Sequence, residues 1–324
     1  MRIPPLLGKL TFANLVANDG IVITGGAVRL TGSGLGCPTW PKCTEDSYSS
    51  TPALGINGHI EFGNRTLSMV VGLIAVAALL AAWRTPHRRA AGWVLAGVLL
   101  QGLVGGLTVR FDLSPYFVGP HFLISMVLIA ISYHLWRRTH PSAVLTEPRL
   151  RPLMWVVTAA GAAVLAAGVV VTGSGPHAGD DKAIRTGLDP ETVSQLHVDA
   201  VFLMLGLTVA AWFAARAMRA VAVAKAALML LAVLLAQGLI GFVQYFTGLP
   251  VILVGAHLAG ACAVWLATLS LLAKTGGHRG GEPVGGALVV TEKQRRLGEL
   301  DLGHDRVAAG VGEQIDARVE QPVR

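Results

Sequence analysis

The sequence predicts an all-α integral membrane protein whose eight transmembrane helices form two parallel-repeat four-helix bundles. Three observations predict this fold. The chain is 53% hydrophobic and only 14% charged, whereas average soluble domains carry roughly 25% charged residues. Its apolar residues come in runs of about 20, which is the length that a helix needs to cross a bilayer with its backbone groups satisfied internally. A long internal repeat predicts the division into two bundles.

Eight apolar runs qualify as membrane spans. The first is interrupted by polar residues such as Lys9 and Asp19, yet it is too long for the apolar core of a cleaved signal peptide. We therefore expect it to span the membrane like the others. The predicted spans are residues 6–28, 61–83, 91–110, 119–136, 152–172, 195–215, 224–245 and 252–273.

The net charge of +7 lies mainly in one set of loops and gives no reason to expect nucleic-acid binding. Cytoplasmic loops of membrane proteins carry an excess of Lys and Arg. We therefore expect the chain to lie in the lipid bilayer of the plasma membrane with both termini in the cytoplasm. The basic residues of loops 2–3, 4–5 and 6–7 are Arg84, Arg88, Arg89, Arg137, Arg138, Arg149, Arg151, Arg216, Arg219 and Lys225.

The internal repeat pairs two segments of identical length. Residues 101–121 read QGLVGGLTVRFDLSPYFVGPH, and residues 237–257 read QGLIGFVQYFTGLPVILVGAH, at a constant offset and without a gap. Each half then holds four spans, and an even number gives both halves the same orientation. The expected units are an N-terminal bundle (1–140), a C-terminal bundle (141–275) and a disordered cytoplasmic tail (276–324), which is rich in glycine and charge.

Three histidines are candidates for metal ligation. His121, His197 and His257 each lie inside one end of a span, where an ionisable side chain is costly and indicates a function. The repeat relates His121 to His257. Neutral imidazole is a common axial ligand of haem iron. His197 and His257 lie on the second and fourth spans of one half, so they can hold one haem between them across a four-helix bundle.

The first half has a similar pocket with one strong ligand missing. There the residue best placed to match His197 is Asn64. A haem whose iron is held by His121 alone would exchange easily, as a substrate must. Glu61 lies one turn from Asn64 and is either a catalytic base or an interfacial acid near a helix N-terminus. Arg65 pairs either with a haem propionate or with Glu61.

Cys37 and Cys43 flank the short loop CPTWPKC between the first two spans. Five intervening residues permit a disulfide, and no second cysteine pair follows that would complete a zinc motif. Two roles fit this pair: a structural disulfide, or a redox pair that passes electrons.

The order of these motifs resembles the haem A synthase family. VRLTGSGLGCPTWPKC at 28–43, EFGNR at 61–65, VGPH at 118–121, VVTGSGPHAGD at 170–180, QLHVD at 195–199 and VGAH at 254–257 carry the resemblance, which covers residues 6–273. One departure concerns the second span. Many members read E-x-x-H-R where this chain reads E-x-x-N-R, so Asn64 stands at a usual ligand position.

The resemblance implies an enzyme that oxidises the C8 methyl group of haem O to a formyl group, giving haem A. It implies haem b as a cofactor held by His197 and His257, and a substrate haem held by His121. Glu61 would be the acidic residue that the chemistry needs, with Asn64 and Arg65 in the substrate pocket and the Cys37–Cys43 pair supporting activity.

The resemblance also implies partners. Haem O synthase would act upstream, and cytochrome oxidase would receive the product. A homo-oligomer is one possible state of the chain.

Two other functions fit parts of the sequence. A di-haem cytochrome-b-like electron carrier requires paired histidines in both halves, and Asn64 breaks that pattern. A transporter with parallel repeats requires spans that are broken near the middle of the membrane, whereas the glycine-rich stretches here lie toward span ends and loops.

Overall fold

The computed structural model describes residues 5–140 and 147–276, and in these two segments the regular structure is entirely helical. All eight long helices are apolar and long enough to cross a membrane, which confirms the predicted class. Short 3₁₀ turns, Pro52–Leu54 and Pro148–Leu150, precede α2 and α5. The helices are α1 Pro5–Leu30, α2 Gly55–Ala82, α3 Arg88–Arg110, α4 Pro115–Thr139, α5 Arg151–Ser174, α6 Pro190–Ala217, α7 Val221–Phe246 and α8 Val251–Ala273.

The predicted spans agree with these helices except at their ends. The largest difference is at α2, which begins at Gly55 instead of residue 61. The prediction followed apolar residues, whereas the helix continues through the polar Asn57 and His59, because backbone hydrogen bonds do not require an apolar side chain. The predicted disordered tail lies, apart from Gly276, outside the described residues.

Local sequence signals set the start of α6. Pro190 occupies the first helical turn, where its missing N–H costs nothing. Asp189 caps the helix by accepting hydrogen bonds from the Thr192 hydroxyl (2.6 Å) and the Thr192 backbone N–H (2.8 Å). These bonds favour the carboxylate and lower the pKa of Asp189.

The helices contact one another in two groups of four. In each group every helix packs against its chain neighbours, and the first packs against the fourth: α1 on α4 and α5 on α8. Contacts of α1 with α8, and of α4 with α5 and α8, join the groups. Two four-helix bundles would make such contacts. Their relation as parallel repeats and the predicted domain boundaries stay predictions.

The core contains one hydrophobic cluster in each group and a third between the groups. The third joins α1, α4 and α8, and there the Trp265 indole donates to the Met126 carbonyl (2.9 Å). Cys262 lies in this cluster, buried and unbonded, as expected for a small apolar side chain. In the two clusters that lie within the groups, the buried residues come mainly from one half of each helix.

Those two clusters fill the half that lies away from the candidate histidines. On α4, the nearest cluster residue to His121 is Leu128, and on α6 the nearest to His197 is Met204, in each case about two turns away. We call the other half, toward the loops that contain residues 31–54, 111–114, 175–189 and 247–250, the histidine half. Neither cluster contributes a residue to it.

The sequence repeat extends to the backbone of the α3–α4 and α7–α8 connections. Asp112 and Leu113 have positive φ values of 48° and 55°, and their repeat partners Gly248 and Leu249 have values of 77° and 60°. The Leu113 N–H donates to the Thr108 carbonyl, and the Leu249 N–H donates to that of Gln244, both at 2.8 Å. The two connections therefore turn the chain in the same way.

Candidate functional site

His197 and His257 face each other within the second group. Their rings lie on α6 and α8, with centroids 6.5 Å apart and planes inclined by 74°. Metal–imidazole bonds are about 2 Å long, so two rings that hold one metal atom from opposite sides have centroids roughly 6 Å apart. The pair predicted from the sequence is thus at the separation that a shared metal requires.

The hydrogen bond of His197 orients its ring. Its Nδ1 lies 3.1 Å from the Val164 carbonyl on α5, and a carbonyl partner requires Nδ1 to carry the proton. The lone pair then lies on Nε2, the atom available to a metal. The ring of His257 lies near the Gln237 backbone on α7, although its buried Nδ1 makes no hydrogen bond of ordinary length and angle with the described residues.

His121 has the same surroundings in the first group as His257 has in the second. The Gln101 side-chain amide donates to the His121 carbonyl (3.0 Å), and Gln237 donates to the His257 carbonyl (2.6 Å). In both cases the glutamine Oε1 and the histidine Nδ1 are buried without a partner in the described structure. The repeat therefore preserves the environment of the histidine as well as the residue itself.

A glycine on the preceding helix lies against each of the three rings. A Cβ atom added at Gly105, Gly168 or Gly241 would lie 3.4, 3.2 or 3.1 Å from Cε1 of His121, His197 or His257, respectively. Carbon atoms in contact prefer about 3.5–4.0 Å. A side chain at any of these glycines would therefore crowd the ring, and their absence lets the imidazoles lie directly on a helix backbone.

Asn64 occupies the fourth position of this pattern. A Cβ added at Gly25 on α1 would lie 3.9 Å from Asn64 Nδ2 on α2, and the Thr24 hydroxyl donates to Asn64 Oδ1 (2.8 Å). His59 is not at this position. It is exposed, and its Nδ1 lies 2.8 Å from the Ser50 hydroxyl. The structure thus pairs Asn64, and not His59, with the place that His197 holds in the second group.

Glu61 is buried and bonded on both carboxylate oxygens. Its Oε2 accepts the Cys37 backbone N–H (2.7 Å), and its Oε1 accepts Arg65 Nε–H (3.0 Å) and forms an ion pair with the same guanidinium. The sequence left open whether Arg65 pairs with Glu61 or with a haem propionate. Here it pairs with Glu61.

The remaining donors of Arg65 bind the loop between the cysteines. They donate to the carbonyls of Thr39 (2.9 Å), Lys42 (3.1 Å) and Cys37 (3.0 Å). A guanidinium has five N–H donors, and with the bonds to Glu61 all five are used. None is left for a propionate while this loop is in place.

The loop itself is closed by a disulfide between Cys37 and Cys43, both fully buried. We call residues 37–43 the disulfide loop. Its Trp40 ring lies where a side chain at Gly106 on α3 would be, only 2.5 Å from the position of an added Cβ. The loop therefore joins the ends of α2 and α3 in the histidine half.

These residues fit a haem better than a free metal ion. In the part of the chain that the structure describes, no three His, Cys, Asp or Glu residues converge as a metal ion would need. A haem brings its own ring nitrogens and needs one or two axial imidazoles from the protein. Two facing rings and helix surfaces cleared by glycine are consistent with that need.

Sequence reasoning identified the histidines but missed the residues that support them. Thr24 and the Val164 carbonyl gave no signal, because their roles depend on which helices are neighbours. Gly105 and Gly241 did give one: they recur in the repeat together with the histidines. The structure assigns no partner to the buried Oδ1 of Asp19, for which the sequence suggested no role.

Comparison with known proteins gives a consistent result. The family model for cytochrome oxidase assembly protein, COX15-CtaA, matches residues 8–54 and 55–269. The chain is 29% identical over 191 residues to a haem A synthase of Hyphomonas neptunium, covering 44% of this chain and 54% of that protein. It is 31% identical over 116 residues to a haem A synthase of Bacillus licheniformis, covering 34% and 37%.

A more distant similarity is with another protein of haem chemistry. The chain is 27% identical over 114 residues to a protohaem IX farnesyltransferase of Halobacterium salinarum, covering 34% of this chain and 25% of that protein. Across these relatives, the chain spans about half of their length or less.

Proposed function

Because the chain belongs to the COX15-CtaA family of cytochrome oxidase assembly proteins, we propose that it is a haem A synthase, an oxidoreductase that converts the C8 methyl group of haem O to a formyl group. The observation that carries the proposal is the difference between the two groups of helices. The second group has two facing histidines, and the first has His121 with Asn64 at the matching position.

In this proposal the second group holds a resident haem b. His197 and His257 would hold it, and the Val164 carbonyl keeps the Nε2 lone pair of His197 directed away from α5. A bound haem b would accept and release one electron at a time. Gly168 and Gly241 keep the two rings close to their neighbouring helices.

The first group binds the substrate, haem O. His121 holds its iron, and the missing second histidine lets substrate and product exchange. Glu61 is the group that would accept a proton from the reacting substrate. A carboxylate has about four lone-pair positions, so its bonds to Cys37 and Arg65 leave it able to accept one more proton. The disulfide loop holds Glu61 in place.

The proposal extends to the surroundings of the protein. The chain lies in the plasma membrane with both termini in the cytoplasm. An upstream farnesyltransferase, haem O synthase, supplies its substrate, and cytochrome oxidase receives haem A. The runner-up function, a di-haem electron carrier, requires a second pair of facing histidines, and Asn64 stands where one of them would be.

The test is haem extraction and chromatography from cells that express the chain together with a source of haem O. We expect haem A from the wild type and haem O, or a partly oxidised haem, from Glu61→Gln. Glu45→Gln is the control, because Glu45 is an exposed carboxylate on the same side of the membrane. Haem A from both variants would leave Glu61 only its role as anchor of the disulfide loop. A folded, haem-loaded wild type that makes no haem A would favour the electron carrier.

A further inference from the structure

The side-chain amide of Asn64 on α2 is hydrogen-bonded to Thr24 on α1. The Thr24 hydroxyl has one proton and two acceptors near it, Asn64 Oδ1 at 2.8 Å and the Ile21 carbonyl at 3.3 Å. In the structure Oδ1 of Asn64 accepts from the Thr24 hydroxyl, and the two N–H groups of Nδ2 point away from Thr24.

Those two N–H groups are available for a ligand. In the described segments no protein acceptor lies within hydrogen-bond distance of Asn64 Nδ2. A Cβ added at Gly25 on α1 would lie 3.9 Å from Nδ2, so the absence of a side chain at Gly25 leaves this part of the amide uncovered. An amide nitrogen donates hydrogen bonds but has no free lone pair for a metal.

The position of Asn64 shows what the amide faces. His121, His197 and His257 each lie against a glycine of the helix that precedes their own, and Asn64 lies against Gly25 in the same way. All four side chains lie within the first three turns of their helices. By this correspondence Asn64 holds the position in the first group that His197 holds in the second.

We propose that the Thr24–Asn64 pair makes the first haem site open on one side, where the amide of Asn64 donates a hydrogen bond to a small ligand bound opposite His121. The ligand class is a small molecule or anion with an acceptor atom, for which cyanide is the probe. The inference rests on the proposed function only for the presence of a haem in the first group. Asn64 is in this view a binding residue for the sixth ligand and not an iron ligand.

The experiment is a cyanide titration of the purified full-length chain, loaded with haem O and oxidised, and followed by its absorption spectrum. A haem held by both His197 and His257 would have no free position for cyanide, so it would be an internal reference. We expect the wild type to bind cyanide at one haem only. Asn64→Ala removes the hydrogen-bond donor to the charged ligand, and Thr24→Val removes the hydroxyl that orients this donor. Each variant should therefore weaken cyanide binding about tenfold or more.

Matched controls separate the amide from its surroundings. Ser68→Ala changes a hydroxyl on the next turn of α2 that bonds only to the Asn64 backbone carbonyl, and Thr66→Val repeats the Thr→Val change at an exposed site. Both should bind cyanide like the wild type. Asn64→His should fill the open position, give a second low-spin haem and abolish cyanide binding. If Asn64→Ala loads no haem, the Asn64→His result tests the inference in its place.

Several results would overturn the inference: a wild type with no cyanide-binding haem, equal affinity in the wild type and Asn64→Ala, or an Asn64→His variant that still binds cyanide. The proposed function is tested separately by the yield of haem A. Cyanide binding that depends on Asn64 without any haem A would overturn the enzyme and support the open site. If the chain makes haem A but its cyanide affinity does not change when Asn64 is replaced, the enzyme is supported and the open site is overturned.

Discussion

The contact between Gly241 and His257 makes a sharp prediction, because α7 offers a matched control one turn away. An added Cβ at Gly241 would lie 3.1 Å from His257 Cε1 and 3.5 Å from Nδ1. At Gly238 it would meet nothing within 4 Å. Gly241→Ala and Gly238→Ala therefore make the same chemical change in the same helix, and only the first disturbs the ring.

The size of the effect follows from the difference between the two variants. Replacing Gly by Ala within a helix gains about 1 kcal/mol in helix propensity, and this gain is common to both. Overpacking a filled contact costs about 1–3 kcal/mol, and this cost falls on Gly241→Ala alone. The ring must move by a few tenths of an ångström, so haem affinity should fall by about 5- to 150-fold relative to Gly238→Ala.

The assay is the haem content and the absorption spectrum of the purified chain. We expect Gly238→Ala to match the wild type, and Gly241→Ala to lose low-spin haem from the second group. Gly168→Ala should act in the same direction, since its added Cβ would lie 3.2 Å from Cε1 of His197. Equal low-spin haem in Gly241→Ala and Gly238→Ala would refute the argument that His257 binds iron from this position.

Two further predictions concern the loops. Arg65→Lys should expose the disulfide loop to reductant, because an ammonium has three donors where the guanidinium uses five. Arg110→Lys, the same change at an exposed arginine, should not. Equal rates of thiol labelling in the two variants after mild reduction would contradict this prediction. Asp189→Ala should lower the melting temperature at pH 7, where the bonds from Thr192 stabilise α6 through the carboxylate. The pKa of Asp189 is lowered in the folded chain, so its contribution is present above the unfolded value and is lost as the pH falls through the folded one. The difference from wild type should shrink below about pH 4, and Asp181→Ala, an exposed change in the same loop, should show no such dependence.

Much of the fold was predictable because the bilayer imposes it. Runs of apolar residues long enough to span lipid form helices, and all eight were located from the sequence. The start of α2 was not, because the polar Asn57 and His59 interrupt the apolar pattern of Gly55–Ile60 while the helix continues through them. Helix ends are set by turns such as the one at Gly55, with a φ of 60°, which hydropathy does not record.

The candidate site was predictable only where the chain repeats itself. His121 and His257 were found through the repeat, and His197 through its depth in a span. The role of Thr24 was out of reach, since it requires α1 and α2 to be neighbours with a particular rotation. Arg65 was ambiguous for a similar reason: the carbonyls that occupy it come from a loop whose path the sequence does not reveal.

The uneven distribution of the core has a consequence for the life of the protein. Buried apolar clusters fill one half of each group and stop about two turns before His121, His197 and His257. Porphyrin rings would supply the missing interior of the other half, as large apolar side chains do elsewhere. A newly made chain without haem would then be less tightly packed in the histidine half, and local opening there would expose it to proteases. Haem supply would thus set how much of this protein a cell keeps, because the bound ring stabilises only the folded state.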